Sequence, residues 1–422
     1  MTKLDEFRRG WPQLFAAVLG LAIGVIGLGT YNLGLFVTDL GHAIGLTKAQ
    51  YGFGFTACTI GLTVGLIGWD RAIARIGVKR GIALSAIGLA LSFVCLGLFT
   101  TTPARYIFFA ACLGFFGAAT SAMTFAQTVS AWFDKSRGFA LGLTQLGLGG
   151  AGAIIPPIIG GVIRSHGWEA GYMALAGLAF IGAPLALFLV RMPDAKQGSR
   201  RVEKRTSMAA DPAELTRLFA TARKGLTFWV LLFGMAATAL SLIGTMQFLV
   251  PMMQALGATP QHAAGLLSLV GIGSICARLL FGWLSDYIHA PFLMSFSCAI
   301  AAAGHFLFAY GGLSYAPVFV FCIGWAFGCE GDLMGYMASR YFNFAIFTRV
   351  YAWVYSAFCI FGGVSPFLDG WIAEKTGGFL ATLNLNGAVA VVAAASFLLL
   401  PRYSRERSAE SQGGELNSTR TT

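Results

Sequence analysis

Residues 191–224 read RMPDAKQGSRRVEKRTSMAADPAELTRLFATARK and form a long polar stretch in an otherwise apolar chain of 422 residues. In the whole chain, 56% of the residues are hydrophobic, 11% are charged, and the mean hydropathy is +0.71. A soluble protein cannot cover its apolar core with so few charged residues. The chain is therefore predicted to be an integral membrane protein, in which the polar stretch separates two membrane-embedded halves.

On each side of this stretch, apolar runs are long enough to cross a bilayer as helices, which takes about 20 residues. The predicted transmembrane helices are residues 11–37, 51–69, 81–101, 104–130, 138–163, 170–190, 227–253, 262–285, 291–311, 315–339, 344–368 and 378–400. The predicted fold class is an all-α membrane protein with twelve transmembrane helices. The predicted domains are 1–190 for the first six-helix half, 191–226 for a cytoplasmic linker, 227–400 for the second half and 401–422 for a cytoplasmic tail.

The distribution of lysine and arginine predicts the orientation of these helices. Apart from Arg278, these residues concentrate in the segments on the side of the two termini, whereas the opposite loops hold Lys48, Arg105, Arg164 and Lys375. Basic loops stay in the cytoplasm, so both termini are predicted to lie inside, with the protein in the cell inner membrane. The net charge of +11 then indicates contact with anionic lipids, and not with nucleic acid, because it is spread over several loops.

The second part of the linker, residues 212–224, is predicted to form an amphipathic helix. Its apolar residues fall on one helical face, and its basic residues lie elsewhere: Leu215, Leu218, Phe219 and Ala222 against Arg217, Arg223 and Lys224. This pattern is typical of a helix that lies on the inner membrane surface, and docking of a partner is the alternative.

Three ionisable residues are predicted to lie well inside the membrane: Arg278, Glu330 and Asp332. An arginine keeps its proton, so at membrane depth it usually faces a water-filled cavity or a carboxylate. The guanidinium of Arg278 could bind the carboxylate of a substrate through two parallel hydrogen bonds, or it could form a structural ion pair with Glu330 or Asp332. If both occur in turn, substrate binding becomes coupled to protonation, since a freed carboxylate in an apolar interior takes up a proton.

The two acids are predicted to have different roles, because residues two apart on a helix point about 200° apart. One should face Arg278 or the cavity, and the other should meet a neighbouring helix. Glu330 is predicted to be the proton-coupling residue, since the glycines at 328 and 331 leave space for water beside it. Asp332 is then expected to contribute mainly to stability.

Polar-tipped residues in otherwise apolar helices are candidates to complete a substrate site: Tyr31, Gln145, Gln247, Tyr351 and Tyr355. For each of them, a satisfied hydrogen bond between helices is the alternative interpretation. His305 is interpreted as a packed histidine and not as a proton carrier.

The motifs of several other protein classes are missing from the sequence. It contains no G-x-x-x-x-G-K-[ST] motif for nucleotide binding, no H-E-x-x-H or G-x-S-x-G motif, and no metal-ligand cluster. The chain is therefore predicted not to be an enzyme and to need no cofactor or metal. It is expected to work as a monomer, driven by a gradient, with a small organic anion, protons and membrane lipids as its partners.

Landmarks in the first half recur about half the chain length later, which indicates an internal repeat. Trp132-Phe133 corresponds to Tyr341-Phe342, and Pro156 corresponds to Pro366. Residues 68–80, GWDRAIARIGVKR, resemble the loop signature of the major facilitator superfamily. This resemblance implies two pseudo-symmetric six-helix halves around a central substrate site. It also implies gating roles for four residues at the inner helix ends: Asp70, Arg71, Arg75 and Asp286.

Residues 138–163, GFALGLTQLGLGGAGAIIPPIIGGVI, are rich in glycine, which favours close packing of helices in lipid. Pro156-Pro157 is predicted to interrupt this helix, at a point where a bend could serve a moving gate. The stretch from Gly152 to Gly161 also resembles the antiporter motif of the superfamily. It therefore keeps proton-driven export of larger amphipathic compounds as an alternative function.

Three motifs resemble the monocarboxylate and oxalate/formate porters within the superfamily. They are YNLGLF at 31–36, ARLLFGWLSD at 277–286 and CEGDL at 329–333. The resemblance implies that Arg278 binds a carboxylate, although Ser274 replaces an aspartate found in some members and no lysine lies in predicted helices 1 or 11. The predicted function is proton-coupled symport of a monocarboxylate or an aromatic acid by alternating access. Anion exchange of the oxalate/formate type is a further alternative.

Overall fold

The computed structural model describes residues 3–133, 136–190, 212–285 and 287–403, and none of these residues is in a strand. Eleven helical stretches in these ranges are apolar and long enough to span a membrane. One of them, Ala290–Tyr341 with 52 residues, consists of the helices Ala290–Gly311 and Ala316–Tyr341. The described part of the chain therefore has the twelve spans predicted from the sequence.

The spans form two groups of six. The first group is α1 (Glu6–Ile44), α2 (Lys48–Ile76), α3 (Val78–Phe99), α4 (Pro103–Trp132), α5 (Arg137–His166) and α6 (Trp168–Leu189). The second group is α7 (Leu226–Ala255), α8 (Pro260–Leu284), α9 (Ala290–Gly311), α10 (Ala316–Tyr341), α11 (Phe344–Lys375) and α12 (Leu380–Leu398). An even number of spans places the described start and end of the chain at the same end of the bundle. We call this the terminal end, and the opposite end the far end.

Large apolar side chains cover the outside of the bundle. Phe188 is 78% exposed, Phe139 70% and Phe108 63%. So much exposed apolar surface is costly in water, whereas lipid tails would cover it without loss. The 36 phenylalanines of the chain are thus divided between the core and a surface suited to lipid.

Two helices end later than the sequence predicts. The helix α2 continues to Ile76, so the turn expected over residues 68–80 is reduced to a break at Gly77, whose φ of 85° favours glycine. The helix α11 continues past residue 368 to Lys375. Both predicted helices are too short, because charged residues end the apolar run before the helix itself ends.

Two other spans are interrupted where continuous helices were predicted. The span α1 belongs to a helical stretch that begins at Lys3, with the segments Lys3–Ala22, Ile26–Thr30, Leu33–Phe36 and Val37–Ile44. The span α4 changes at Ala118–Thr120 to a tighter helix and resumes at Ala122. The two breaks meet, because the backbone N–H of Val25 donates to the Thr120 hydroxyl at 3.0 Å. Irregular backbone is tolerated at membrane depth when neighbouring groups satisfy it in this way.

The interruption predicted at Pro156-Pro157 is absent, and the prediction was wrong. The helix α5 runs without a break from Arg137 to His166. Neighbouring helices and local adjustments can satisfy the backbone groups that a proline leaves free, so a transmembrane helix tolerates proline in its interior.

The helix Pro212–Lys224 precedes α7 and is here called the connecting helix. Its apolar face packs on the second half, where the Phe219 ring lies 6.1 Å from Phe228 and 6.4 Å from Trp353, measured between centroids. The Arg349 guanidinium lies 5.3 Å from the centroid of the Phe219 ring. The basic residues predicted for the other face are exposed: Arg217, Arg223 and Lys224.

The two halves meet where glycines allow their backbones to approach. A Cβ on Gly271 of α8 would lie 2.1 Å from the backbone nitrogen of Ala153 in α5. A Cβ on Gly52 of α2 would lie 2.1 Å from the carbonyl oxygen of Pro366 in α11. Small residues at these crossings let helices associate through close packing, as in other membrane bundles.

Candidate functional site

Arg278 lies on α8, on the terminal-end side of the crossing between α8 and α5. Its side chain is partly buried, and its Nε and Nη1 atoms are buried without a hydrogen-bond partner. Two unmade hydrogen bonds on one buried cation are costly, since each such donor has lost its water. The guanidinium is therefore available to an anion that can reach it.

Tyr31 and Ser274 lie near Arg278, and their hydroxyls lie close to each other but form no other hydrogen bond. Tyr31 follows the Ile26–Thr30 segment of α1 and is 2% exposed, and the centroids of the Tyr31 and Phe327 rings are 5.8 Å apart. The Tyr31 hydroxyl is within electrostatic reach of Arg278 and of Glu330. The Ser274 hydroxyl is buried one helical turn before Arg278. Tyr31, just after the interruption of α1, therefore lies within electrostatic reach of the guanidinium.

The two acids of α10 occupy different environments. Glu330 is 8% exposed and its Oε2 atom has no hydrogen-bond partner, whereas Asp332 is exposed. Arg278 acts electrostatically on both carboxylates. Glu330 is thus the buried acid, and Asp332, which was expected to contribute mainly to stability, is the exposed one.

The glycines beside Glu330 do not both leave space for water. A Cβ on Gly328 would lie 2.5 Å from the Cα of Ser274, so this glycine serves close packing of α10 on α8. Gly331 has open space beside it. The prediction for Gly328 was therefore wrong, and the room beside Glu330 comes from Gly331 alone.

Four aromatic residues of α11 form a continuous stack, here called the aromatic ladder: Phe347, Tyr351, Tyr355 and Phe358. The rings of Tyr351 and Tyr355 are 5.9 Å apart and nearly parallel, at 7°. Tyr355 is 39% exposed although it lies in the middle of α11. Tyr351 is within electrostatic reach of Asp332, and Tyr355 of Glu330. The ladder therefore lies close to both acids.

The two candidate glutamines are in different situations. Gln145 on α5 is partly buried, and its Oε1 atom has no hydrogen-bond partner. Gln247 on α7 is fully buried, accepts a hydrogen bond from the Tyr51 hydroxyl at 3.2 Å and donates to the Thr30 carbonyl at 3.1 Å. Gln247 thus joins the two halves in this conformation, whereas Gln145 has an unused acceptor.

Hydrogen bonds join the halves at the far end of the bundle. The Thr38 hydroxyl donates to Gln254 at 2.5 Å, and the Glu374 carboxylate accepts from the backbone N–H of Ala49 at 2.7 Å. Arg164 of α5 likewise donates to Gln261 of α8. Since Ala49 is in the first turn of α2, Glu374 satisfies a free N–H group of a helix from the other half.

Three of the four residues assigned to gating lie at the terminal end. Asp70, Arg71 and Arg75 are on the last turns of α2 and are exposed. Asp286 lies outside the described residues. The structure thus places three of these side chains at the end of the bundle opposite the hydrogen bonds that join the halves.

Comparison with known proteins identifies the family of this fold. The model of the family described as Major Facilitator Superfamily matches residues 19–331 and 248–421, which together cover most of the chain. The chain belongs to the Major Facilitator Superfamily. As a member of this superfamily it is a membrane transporter and not an enzyme.

Within the superfamily, curated relatives are monocarboxylate transporters. Monocarboxylate transporter 13 of Bos taurus is 24% identical over 418 residues, covering 93% of this chain and 90% of the relative. Monocarboxylate transporter 12 of Rattus norvegicus is 23% identical over 343 residues, covering 74% of this chain and 69% of the relative.

Solved structures of the superfamily share the fold. A D-xylose–proton symporter superimposes with a TM-score of 0.71 at 15% identity, covering 96% of this chain and 99% of that chain. A bacterial homologue of the human lysosomal transporter Spinster gives a TM-score of 0.69 at 15% identity, covering 95% and 98%. These likenesses support the major facilitator fold with its two six-helix halves.

Besides Glu330, this superfamily member has a further buried carboxylate, Asp369, which the sequence did not predict to lie in the membrane. Asp369 is 2% exposed and lies within α11, because this helix continues to Lys375. The predicted helix ends at residue 368, which leaves Asp369 outside the membrane. The glycines at 377 and 378, which are typical of a helix end, could have revealed the longer helix.

Proposed function

We propose that this protein is a secondary transporter of the cell inner membrane that carries a small organic anion, either a monocarboxylate or an aromatic acid, together with a proton. The proposal rests chiefly on Arg278, whose buried Nε and Nη1 atoms have no partner. A guanidinium fork fits a carboxylate through two parallel hydrogen bonds, which are strong where water is excluded. The named function of the monocarboxylate transporter relatives supports the same substrate class.

The residues around Arg278 are assigned by their chemistry. The Tyr31 hydroxyl and the unpaired Gln145 Oε1 atom offer further polar contacts to the acid. Tyr351 and Tyr355 offer flat apolar faces to its organic part. In this conformation, Gln247 holds the two halves together through its hydrogen bonds. It would bind substrate only after the halves separate at the far end.

Glu330 is assigned as the residue that carries the coupled proton. Its carboxylate is buried within electrostatic reach of Arg278 and has an unpaired oxygen. When a substrate carboxylate occupies the guanidinium, a second buried negative charge is unfavourable, and protonation removes it. Asp332 is exposed, so its charge would mainly influence the anion on its way to Arg278. It would contribute to proton binding only secondarily.

The way in which the halves are joined supports alternating access. The far-end hydrogen bonds close the path on that side, and we propose that the site opens at the terminal end, which the basic loops place in the cytoplasm. Asp70, Arg71, Arg75 and Asp286 would then close the cytoplasmic side in the opposite state. One chain supplies every residue of the site, so a monomer suffices, surrounded by membrane lipids.

The direct test is uptake of labelled monocarboxylates and aromatic acids by cells that express the protein. Uptake should be faster at an external pH below the internal pH, and an uncoupler should abolish accumulation. Cells that express Arg278→Ala provide the background. Uptake that is indifferent to both pH and uncoupler would contradict proton symport, and exchange without accumulation in proteoliposomes would indicate an anion exchanger instead.

A further inference from the structure

A second buried polar cluster lies inside the second half, away from Arg278. Asp369 of α11 packs closely against α7. A Cβ on Gly244 of α7 would lie 2.1 Å from the Oδ2 atom of Asp369. Its Oδ2 atom accepts a hydrogen bond from the side-chain nitrogen of Asn386 in α12 at 2.8 Å. No lysine or arginine of the described residues forms an ion pair with this carboxylate. An isolated buried carboxylate of this kind is costly unless its charge is balanced.

The hydrogen bonds continue from Asp369 to a buried histidine. The same nitrogen of Asn386 donates to the Thr245 hydroxyl of α7 at 2.9 Å. The Thr245 hydroxyl lies 2.8 Å from Nε2 of His305 in α9, which is 0% exposed. Asp369, Asn386, Thr245 and His305 therefore form one connected set, here called the polar chain, which ties together helices α7, α9, α11 and α12.

The hydrogens of the polar chain can be counted. Nδ1 of His305 lies 2.7 Å from the Ala301 carbonyl, which can only accept, so Nδ1 carries a hydrogen. Thr245 has one hydrogen, and two acceptors are in reach: Nε2 of His305 and the Ser241 carbonyl at 2.9 Å. If Thr245 donates to His305, the ring is neutral. If it donates to Ser241, Nε2 must itself be protonated and donate to Thr245.

These two arrangements differ by one proton on His305, and both keep all the observed contacts. An imidazolium alone would be as costly in this interior as a carboxylate alone. With one proton shared between them, the two ends of the polar chain carry no net charge, whether the proton is on His305 or on Asp369. We propose that Asp369 and His305, bridged by Asn386 and Thr245, form a site that binds a single proton, separate from the pair of Arg278 and Glu330.

The ionisable groups on the helices around the polar chain include Lys48 and Tyr51 of α2, Cys298 of α9, Cys322 of α10, and Glu374 and Lys375 of α11. Several of these groups have other contacts. The Lys48 ammonium lies 5.0 Å from the centroid of the Phe379 ring, and the Tyr51 hydroxyl donates to Gln247. The Cys298 thiol lies 3.4 Å from the Thr238 hydroxyl. Within the described residues, none of them hydrogen-bonds to Asp369 or His305.

The polar chain lies next to the contact between α11 and α2 at the far end. Gly370, next to Asp369, packs on α2, and a Cβ there would lie 2.3 Å from the Lys48 carbonyl oxygen. One helical turn further, Glu374 binds the N–H of Ala49. The proton would therefore be held directly behind the part of α11 that closes the far end against α2.

The test uses the purified full-length protein without substrate, so its outcome does not depend on the proposed transport function. Thermal unfolding is measured from about pH 4 to about pH 9, a range that brackets the ordinary pKa values of carboxyl and imidazole groups. The wild type should show a pH-dependent step in its unfolding temperature. Asp369→Asn and His305→Gln should each remove this step, and the double variant should remove no more, because both residues hold the same proton.

Ser365→Ala is the matched control, since Ser365 lies one turn before Asp369, faces α7 through a hydrogen bond to the Leu240 carbonyl and does not titrate. It should lower the unfolding temperature equally at every pH. Thr245→Val, which removes the bridging hydroxyl, should remove the same step and serves if either titratable variant fails to fold. The proposal is wrong if the variants keep the wild-type pH profile, or if the effects of Asp369→Asn and His305→Gln add in the double variant.

Discussion

At the scale of single residues, Arg278 is the group whose chemistry is most specific. Lysine keeps the positive charge but loses the planar fork, so Arg278→Lys should replace two parallel hydrogen bonds with one. A hydrogen bond to a charged group contributes about 1.5–3 kcal/mol, so we expect a roughly 10- to 100-fold fall in transport efficiency. Arg223→Lys, on the exposed face of the connecting helix, should transport like the wild type.

Expression and membrane insertion of the two arginine variants should be equal, as measured by immunoblotting of membrane fractions. An Arg278→Lys variant that transports with unchanged affinity would show that a simple positive charge is sufficient and that two-point binding by the fork does not occur.

The acids of α10 give a second prediction at the residue scale. Glu330→Gln should still exchange labelled for unlabelled anion, because the guanidinium remains, but it should not accumulate anion in response to a proton gradient. Asp332→Asn removes a charge from an exposed position, so its unfolding free energy should change by no more than about 0.5 kcal/mol. Counterflow and pH-driven uptake in proteoliposomes separate the two activities. Wild-type accumulation by both variants would place the coupled proton elsewhere.

At the scale of helices, the crossing of α5 and α8 depends on glycine. Gly271→Ala would place a methyl group 2.1 Å from the nitrogen of Ala153, so the two halves must move apart or distort. Overpacking of this kind costs about 1–3 kcal/mol. Gly150→Ala, on α5, is the control, because nothing lies within 4 Å of the added Cβ.

Thermal unfolding of the purified variants and their rates of anion exchange test this crossing. Gly271→Ala should lower both, and Gly150→Ala should change neither. Equal behaviour of the two variants would mean that close approach of α5 and α8 is not needed for this packing.

The helices also show what the sequence could and could not predict. Hydropathy located all twelve spans of the described chain, since bilayer thickness sets their length. It missed the breaks in α1 and α4, because these depend on the contact of Val25 with Thr120, residues far apart in sequence. The predicted α11 also ended too early. A charged residue such as Asp369 is typical of a loop, and its hydrogen-bond partner Asn386 is known only from the structure.

For the candidate site, chemistry was easier to predict than geometry. The rarity of charge inside the membrane was enough to single out Arg278, Glu330 and Asp332. It did not show which acid is buried, because that depends on how α10 is rotated against α8 at Gly328 and Ser274. The sequence also could not show whether a polar residue such as Gln247 binds substrate or joins helices. Its hydrogen bonds to Tyr51 and Thr30 are visible only in the structure.

At the scale of the whole molecule, the structure is asymmetric between its two ends. The far end is held by hydrogen bonds between the halves, such as the one from the Thr38 hydroxyl to Gln254. The middle of the bundle nevertheless contains exposed residues, including Asp332 and Tyr355. A site that is exposed in the middle and closed at the far end should be reached from the terminal end.

This asymmetry predicts the side from which the site can be labelled. In a variant whose eight cysteines are replaced, Gly331→Cys should react with a membrane-impermeant thiol reagent, because Gly331 is exposed with open space beside it. The reaction should occur from the cytoplasmic side, as should that of Ser199→Cys in the polar linker, whereas His262→Cys at the far end should react only from outside. Intact cells and inside-out vesicles supply the two sides. Labelling of Ser199→Cys from outside would invert the orientation. Labelling of Gly331→Cys from outside alone would show instead that the protein rests with the far end open.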